Sequence, residues 1–284
     1  MTFIPFVGRA IASLSAALLL SAAAHADTVV SAKPPCRTQQ ELTRLGGSLA
    51  HVARRIESGQ TVTIVAIGSS STAGAGATSP AANYPNRLAV ELQQRFPKTR
   101  FNVINQGING EEVADMLRRF DDAVIAKKPD LVLWQLGTNS LIRDHEMSDR
   151  GASIRMGLFR IRATGADTVL IDPQYAPKVI AKPLAPKMVD FIAEISKEEN
   201  VGLFRRFDVM KHWNEAEKIP FDAFVIADGL HMNDWGYACM AQSLGVAIAD
   251  AVTRPTMVSA KTVSAKTVTA KTAMPSPTPA ALGK

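Results

Sequence analysis

Between residues 38 and 252, short apolar runs alternate with longer stretches in which apolar residues recur every three or four positions. The runs at 62–68, 101–107, 130–137 and 167–173 are rich in Val, Ile and Leu, and a weaker fifth lies at 201–207. A run without strict polar alternation suits a strand buried on both faces, as in a parallel sheet covered by helices. Helical spacing is carried by 39–57, 84–96, 111–127, 153–164, 186–199 and 234–252. Strand and helix in alternation predict an α/β fold: one three-layer α/β/α domain around a doubly wound, parallel five-stranded sheet.

The ends differ from this body. Residues 1–26 hold one charge, Arg9, then an apolar run at 11–20 and a closing Ala24-His25-Ala26. That is the layout of a cleaved signal peptide, with cleavage expected before Asp27. The run is shorter than the ~20 residues a spanning helix needs, and no later stretch approaches that length, so no integral membrane segment is expected in the mature chain. The protein is expected to be exported, periplasmic or secreted. From Pro255 the sequence turns to Val-Ser-Ala-Lys-Thr repeats and then Pro-Ser-Pro-Thr-Pro. Such a stretch has too few large apolar groups to offset its ordering entropy, so 255–284 reads as a flexible tail after a domain at 27–254. The formal charge of +6 belongs mostly to these ends; residues 27–254 carry +1, which argues against a nucleic-acid partner. Export places Cys36 and Cys239 in an oxidising compartment, where two thiols often pair; two separate buried thiols are the alternative.

In doubly wound sheets, sites form beyond the carboxyl ends of the strands. There the chain places Gly68-Ser69-Ser70-Ser71-Thr72-Ala73-Gly74, Asn105-Gln106-Gly107-Ile108-Asn109-Gly110 and Gly137-Thr138-Asn139-Ser140, and Asp228-Gly229-Leu230-His231 precedes the last helix. A hydroxyl nucleophile, backbone donors, an amide donor and an Asp/His pair are the parts acyl transfer requires. Of His51, His145, His212 and His231, only His231 has a carboxylate three residues earlier in a turn-forming context. Asp228 there is suited to accept the ring Nδ1–H and fix the tautomer that lets Nε2 act as base.

In this order and spacing, the four segments resemble blocks I, II, III and V of the SGNH (GDSL-type) hydrolases, over roughly Thr61 to Asp250. The resemblance implies a flavodoxin-like SGNH fold, with Ser70, Asp228 and His231 catalytic. It also implies an oxyanion hole made of the Ser70 and Gly107 N–H groups and the Asn139 side-chain amide, and Gly107 is read as a glycine because a Cβ would crowd the substrate. Two positions depart from the family pattern. Ser69 stands where block I usually has aspartate, and Ser140 where block III usually ends in aspartate. The choice of Ser70 over Ser69 and Ser71 rests on its alignment to Gly68 and Gly74.

No His/Cys/Asp/Glu cluster has metal-ligand spacing, and Gly68, Gly74 and Gly76 do not satisfy G-x-G-x-x-G, so neither metal nor cofactor is expected. Gln174 and Tyr175, after the fourth strand, are candidates for lining a substrate pocket, with a rigid Pro-bounded turn as the alternative. The polar segment 141–155 reads as a lid or a loop. Together these features point to an exported serine esterase acting on an O-acetylated glycan or a small acyl ester. The alternatives are an O-acetyltransferase using the same site and a non-catalytic carbohydrate-binding domain of the same fold.

Overall fold

The computed structural model describes residues 1–3, 34–37, 39–145 and 150–254. The chain divides into units 1–34 and 35–284, and every element below belongs to the second. The expected signal peptide (apart from residues 1–3) and the tail at 255–284 lie outside the described residues, as do positions 146–149 of the lid-or-loop segment.

Five strands, β1 (Val62–Gly68), β2 (Phe101–Gly107), β3 (Leu131–Gln135), β4 (Asp167–Ile171) and β5 (Gly202–Phe204), form one parallel sheet in the order β2-β1-β3-β4-β5. This is the flavodoxin-like order, which reverses direction between β1 and β3 and opens a crevice there. The helices are α1 (Ala50–Glu57), α2 (Ser70–Ala73), α3 (Tyr84–Arg95), α4 (Val113–Arg118), α5 (Phe120–Ala123), α6 (Thr138–Ile142), α7 (Arg150–Ala163), α8 (Pro177–Ile180), α9 (Ala185–Glu198), α10 (Arg206–Glu215) and α11 (Asp234–Thr253).

β1, β3, β4 and β5 have the burial their apolar runs imply, whereas β2, at the edge of the sheet, is only half-buried and departs from the expected burial on both faces. Along β1, Ile64 and Ala66 join a core with Leu133, Ile171, Phe204 and Leu244, while Val65 and Ile67 join a second with Val132, Trp134, Leu170 and Leu158. Successive side chains point to opposite faces, so one strand feeds both cores, and each large side chain so buried contributes ~1.5–3 kcal/mol. Among the described residues, no helix is long and apolar enough to cross a membrane.

Two helices and one strand depart from the periodic pattern. The stretch 39–57 is helical only from Ala50, because the Leu45 carbonyl accepts the Leu203 N–H at 2.7 Å and so lies along β5 instead of inside a helix. The stretch 111–127 breaks into α4, α5 and a 3₁₀ turn. Arg119 leaves helical backbone at the first break, and its guanidinium reaches back to Glu111 and to the Gln106 carbonyl. The fifth run yields a strand of only 3 residues before α10 begins.

Cys36 and Cys239 are joined in a disulfide that spans 203 residues and ties the segment before α1 to α11. Closing so long a loop restricts the unfolded chain by ~5 kcal/mol in chain-entropy terms. Replacing both cysteines by alanine is expected to lower the unfolding free energy by ~2–5 kcal/mol in urea titrations. Identical midpoints for the oxidised and reduced protein would show that the bond contributes nothing.

Candidate active site

β1 ends at Gly68 and the backbone turns directly into α2, which puts three serines at the carboxyl edge of the sheet. Their partners separate them. The Ser69 N–H and hydroxyl both donate to Gln135 Oε1, at 2.8 and 2.9 Å, and the Thr72 hydroxyl reaches the same oxygen at 3.4 Å. Ser71 is buried. Ser70 Oγ lies 2.8 Å from His231 Nε2. Ser69, the departure from the family's aspartate, is thus the residue that fastens this turn to the end of β3.

His231 is placed by a small antiparallel turn in which Val225 bridges Met232 and the Ile226 N–H donates to the His231 carbonyl at 2.8 Å. Gly229 occupies its tip at φ +68, a region strained for residues with a Cβ. Asp228 Oδ1 accepts the N–H groups of Leu230 and His231 at 2.8 and 2.9 Å, which shapes the turn. Oδ2 is left to accept His231 Nδ1–H at 2.5 Å. Burial pushes the Asp228 carboxyl up, but the His231 N–H, the imidazole and the Leu230 N–H outweigh it and hold the group below the usual carboxylate range. A proton on Nδ1 leaves Nε2 as acceptor for the Ser70 hydroxyl.

A carboxylate partner does not by itself single out His231. His51 faces Asp130 at 2.8 Å, His145 faces Glu112 at 2.9 Å and His212 faces Glu217 at 3.2 Å. What distinguishes His231 is the serine hydroxyl on its other nitrogen.

Asn139 sits in α6, directly beyond β3. Its Nδ2 donates one hydrogen to the Glu111 carbonyl at 2.9 Å, and an amide nitrogen carries two. Ser140, the second departure, donates to Glu112 Oε2 at 2.8 Å, so a hydroxyl in the third block meets an acid two residues past the second. Gly107 requires a correction. Its N–H donates to Asn105 Oδ1 at 2.9 Å, and is committed there rather than to a substrate oxygen. Its missing Cβ makes room for the chain and not for the substrate: a Cβ would lie 2.1 Å from Ala73 N and 2.6 Å from Thr72 C. Gly107 is the point where β2 passes under α2.

Gln174 and Tyr175 also differ from expectation. Gln174 is 1% exposed and bonded at both ends, to Thr138 Oγ1 and to the Leu230 carbonyl. The Tyr175 hydroxyl donates to Glu215 Oε1 at 2.7 Å, and its ring packs on Phe207 and Phe221. Burial and then the Glu215 carboxylate push that phenol up to about 12. Both side chains face protein partners. Two depressions lie on neighbouring segments, one at Glu111, whose carbonyl accepts from Asn139, and one at Gly229 of the His231 turn. One of about 500 Å³ is lined by Asn109, Gly110, Glu111 and Arg143, and one of about 490 Å³ by Pro177, Phe221, Ala227 and Gly229.

A 2-1-3-4-5 parallel sheet with a serine, an imidazole and a carboxylate linked beyond its carboxyl edge is the architecture of SGNH-type esterases. The chain belongs to the non-GDSL lipase-like family, whose model matches residues 35–254. It is 26% identical over 165 residues to an acetylxylan esterase from Geobacillus stearothermophilus, covering 54% of this chain and 74% of that protein. A two-domain esterase active on acetylated mannans superposes with a TM-score of 0.63 at 20% identity, over 76% of this chain; the chain spans 57% of that protein's length. A variant of an acetyl xylan esterase from G. stearothermophilus superposes with a TM-score of 0.56 at 23% identity, over 66% of this chain and 94% of that one. These superpositions show the shared fold.

The two glycines of the second block are needed for different reasons. In Gly107→Ala the new methyl meets only backbone, so α2 must shift; a loss of ~1–3 kcal/mol and of most p-nitrophenyl acetate hydrolysis is expected. In Gly110→Ala the nearest atom is the end of the Arg143 side chain at 3.3 Å, and the cost is the ~1–2 kcal/mol of a left-handed backbone at φ +79. Thermal midpoints of both variants check these losses.

Proposed function

We propose that the chain is an exported esterase that removes acetyl groups from a glycan by a two-step acyl-enzyme route. The observation that carries the mechanism is the unbroken hydrogen-bond chain from Ser70 Oγ through His231 to Asp228. Support for the substrate class comes from the relatives, one named for acetylxylan and one for acetylated mannans. Support for action outside the cytoplasm comes from the disulfide and from the signal-like residues 1–26.

In the first step His231 Nε2 takes the Ser70 proton as Oγ bonds to the ester carbonyl carbon. The negative charge formed on the carbonyl oxygen meets the Ser70 N–H, in the first turn of α2 where no intrahelical acceptor exists, and the second Asn139 amide hydrogen. The N–H of Gly107, already bonded to Asn105 Oδ1, is not among these donors. Asp228, ionised, stabilises the imidazolium. As the ester C–O bond breaks, His231 returns the proton to the sugar oxygen and acetyl stays on Ser70. Water then attacks with His231 again as base, and acetate leaves. With a sugar hydroxyl in place of water, the same second step is acetyl transfer.

Ser70→Ala is expected to lower kcat by ~10³-fold or more with an unchanged thermal midpoint, whereas Ser69→Ala keeps part of the activity. Asp228→Asn keeps an oxygen for the turn but offers N–H to the ring, which favours the wrong tautomer; a loss of ~10⁴-fold is expected. Acetate release from acetylated xylan and mannan measures these variants, and a fluorophosphonate label mapped by mass spectrometry identifies the nucleophile. A label on Ser71 or on no serine contradicts the reading.

The site also fixes the direction of pH dependence. Protonating His231 removes the base, while Asp228, held below its usual range, stays ionised as the base is lost. Acidification is therefore expected to lower kcat/KM with unit slope, as for a single ionisation. A slope of two would show that Asp228 titrates in the same range. Because its folded value is depressed, Asp228 also adds stability that is present above the ordinary carboxyl range and lost as pH falls through the folded value.

A further inference from the structure

β4 brings no reacting group to the edge of the sheet, yet a buried amide stands just past its end. Gln174 Oε1 accepts the Thr138 hydroxyl at 2.9 Å, and Gln174 Nε2 donates to the Leu230 carbonyl at 3.3 Å. Thr138 precedes Asn139 and Leu230 precedes His231. The amide has one workable orientation. A carbonyl only accepts, so the nitrogen must face Leu230, and the oxygen is left for the hydroxyl of Thr138. The neighbouring residues are anchored separately. Asp172 Oδ1 accepts the Phe207 N–H at 2.9 Å, and the Asp172 carbonyl accepts from Arg206 Nε at 2.9 Å. Tyr175 is tied to Glu215 on α10. Gln174 therefore reaches out from a fixed point.

We infer that Gln174 is a positioning residue that holds the turn of the amide donor Asn139 at a set distance from the turn of the base His231. This rests on the proposed roles of those two residues. The two turns come from distant parts of the chain, and Gln174 is a single side chain bonded to both. The acyl carbon must meet Ser70, the imidazole and the oxyanion donors together, and a displacement of ~1 Å at such a site costs ~10²-fold. Loss of the bridge removes no group that touches the substrate, so it lowers kcat and leaves KM in place.

The test uses Gln174→Met, which removes both bonds, Gln174→Glu, which keeps the acceptor for Thr138 but sets an oxygen against the Leu230 carbonyl, and Thr138→Val. Rates of p-nitrophenyl acetate hydrolysis are divided by the concentration of sites that a fluorophosphonate titrates, so only folded sites are counted. Each variant is expected to lose ~10–100-fold in kcat at unchanged KM. Thr138→Ser, which keeps the hydroxyl, should stay near wild type, and the Gln174→Met/Thr138→Val pair should be no worse than Gln174→Met alone. Wild-type kcat per titrated site in a Gln174 variant, or additive losses in the pair, overturns the inference, since a role in stability alone moves only the thermal midpoint. If Gln174→Met does not fold, Thr138→Val reads the same bridge from its other end and decides it. Activity surviving in Ser70→Ala would instead sink the proposed function, and the bridge with it. A dead Ser70→Ala beside fully active Gln174 variants sinks the bridge alone.

Discussion

A strand that becomes a helix within two residues needs something to hold the corner, and here a single buried oxygen does so. Gln135 Oε1 takes hydrogen bonds from the backbone and the hydroxyl of Ser69. Removing that acceptor would leave buried donors unmet, at ~1–3 kcal/mol each, and would free α2 to tilt. The bond forms only because β3 lies beside β1, with Ile67 paired to Trp134, one residue short of Gln135. The parallel register thus sets the direction of Ser70. The other side of α2 is closed by Asn105, whose Nδ2 donates to the Thr72 carbonyl at 2.8 Å, and by the bare Gly107 beneath it. The loop after α2 is held by Tyr237, whose hydroxyl donates to the Ala75 carbonyl at 2.6 Å. Tyr237 lies on α11, the helix that follows the His231 turn, so the Ser70 and His231 segments are tied together at a second point as well as through their own hydrogen bond.

Much of this was legible in the sequence, because the signals are local. β1 and β2 run from the first residue to the last of their apolar stretches, since the strand period and the strand end are written in neighbouring residues. The Asp228–His231 turn is equally local, with Asp228 bonding N–H groups 2 and 3 residues ahead of it. Gln135 was not legible as a turn anchor, since its partner Ser69 lies 66 residues away. Gln174, with partners 36 and 56 residues distant, looked like a pocket residue because it follows a strand end. The bare Cα of Gly107 is required by α2 and not by a substrate, and no periodicity says that α2 passes over β2 at that point. Ser69 and Ser140 depart from the family pattern, and their acceptors, Gln135 and Glu112, lie too far along the chain for a local pattern to reveal them.

The distribution of buried polar groups completes the picture. The middle of the sheet is apolar on both faces, whereas Ser69, Thr72, Gln135, Thr138, Ser140, Asp172, Gln174 and Arg206 are all buried at or beyond its carboxyl edge. Apolar packing alone is tolerant of small shifts, because many arrangements bury the same area. Hydrogen bonds are directional, and each of these groups is costly to leave unmet, so the edge is held to fewer arrangements than the core. The cost is visible at Asp172 and Arg206. Burial drives the Asp172 carboxyl up to about 7 and the Arg206 guanidinium down to about 10, so both charges are disfavoured where they stand. Yet Asp172 Oδ1 starts α10 through Phe207, and the Asp172 carbonyl holds Arg206, which fixes the base from which Gln174 projects. A fold that needed only stability would fill this edge with leucine. Such a polar edge suits a site that must align groups carried on four different segments of the chain.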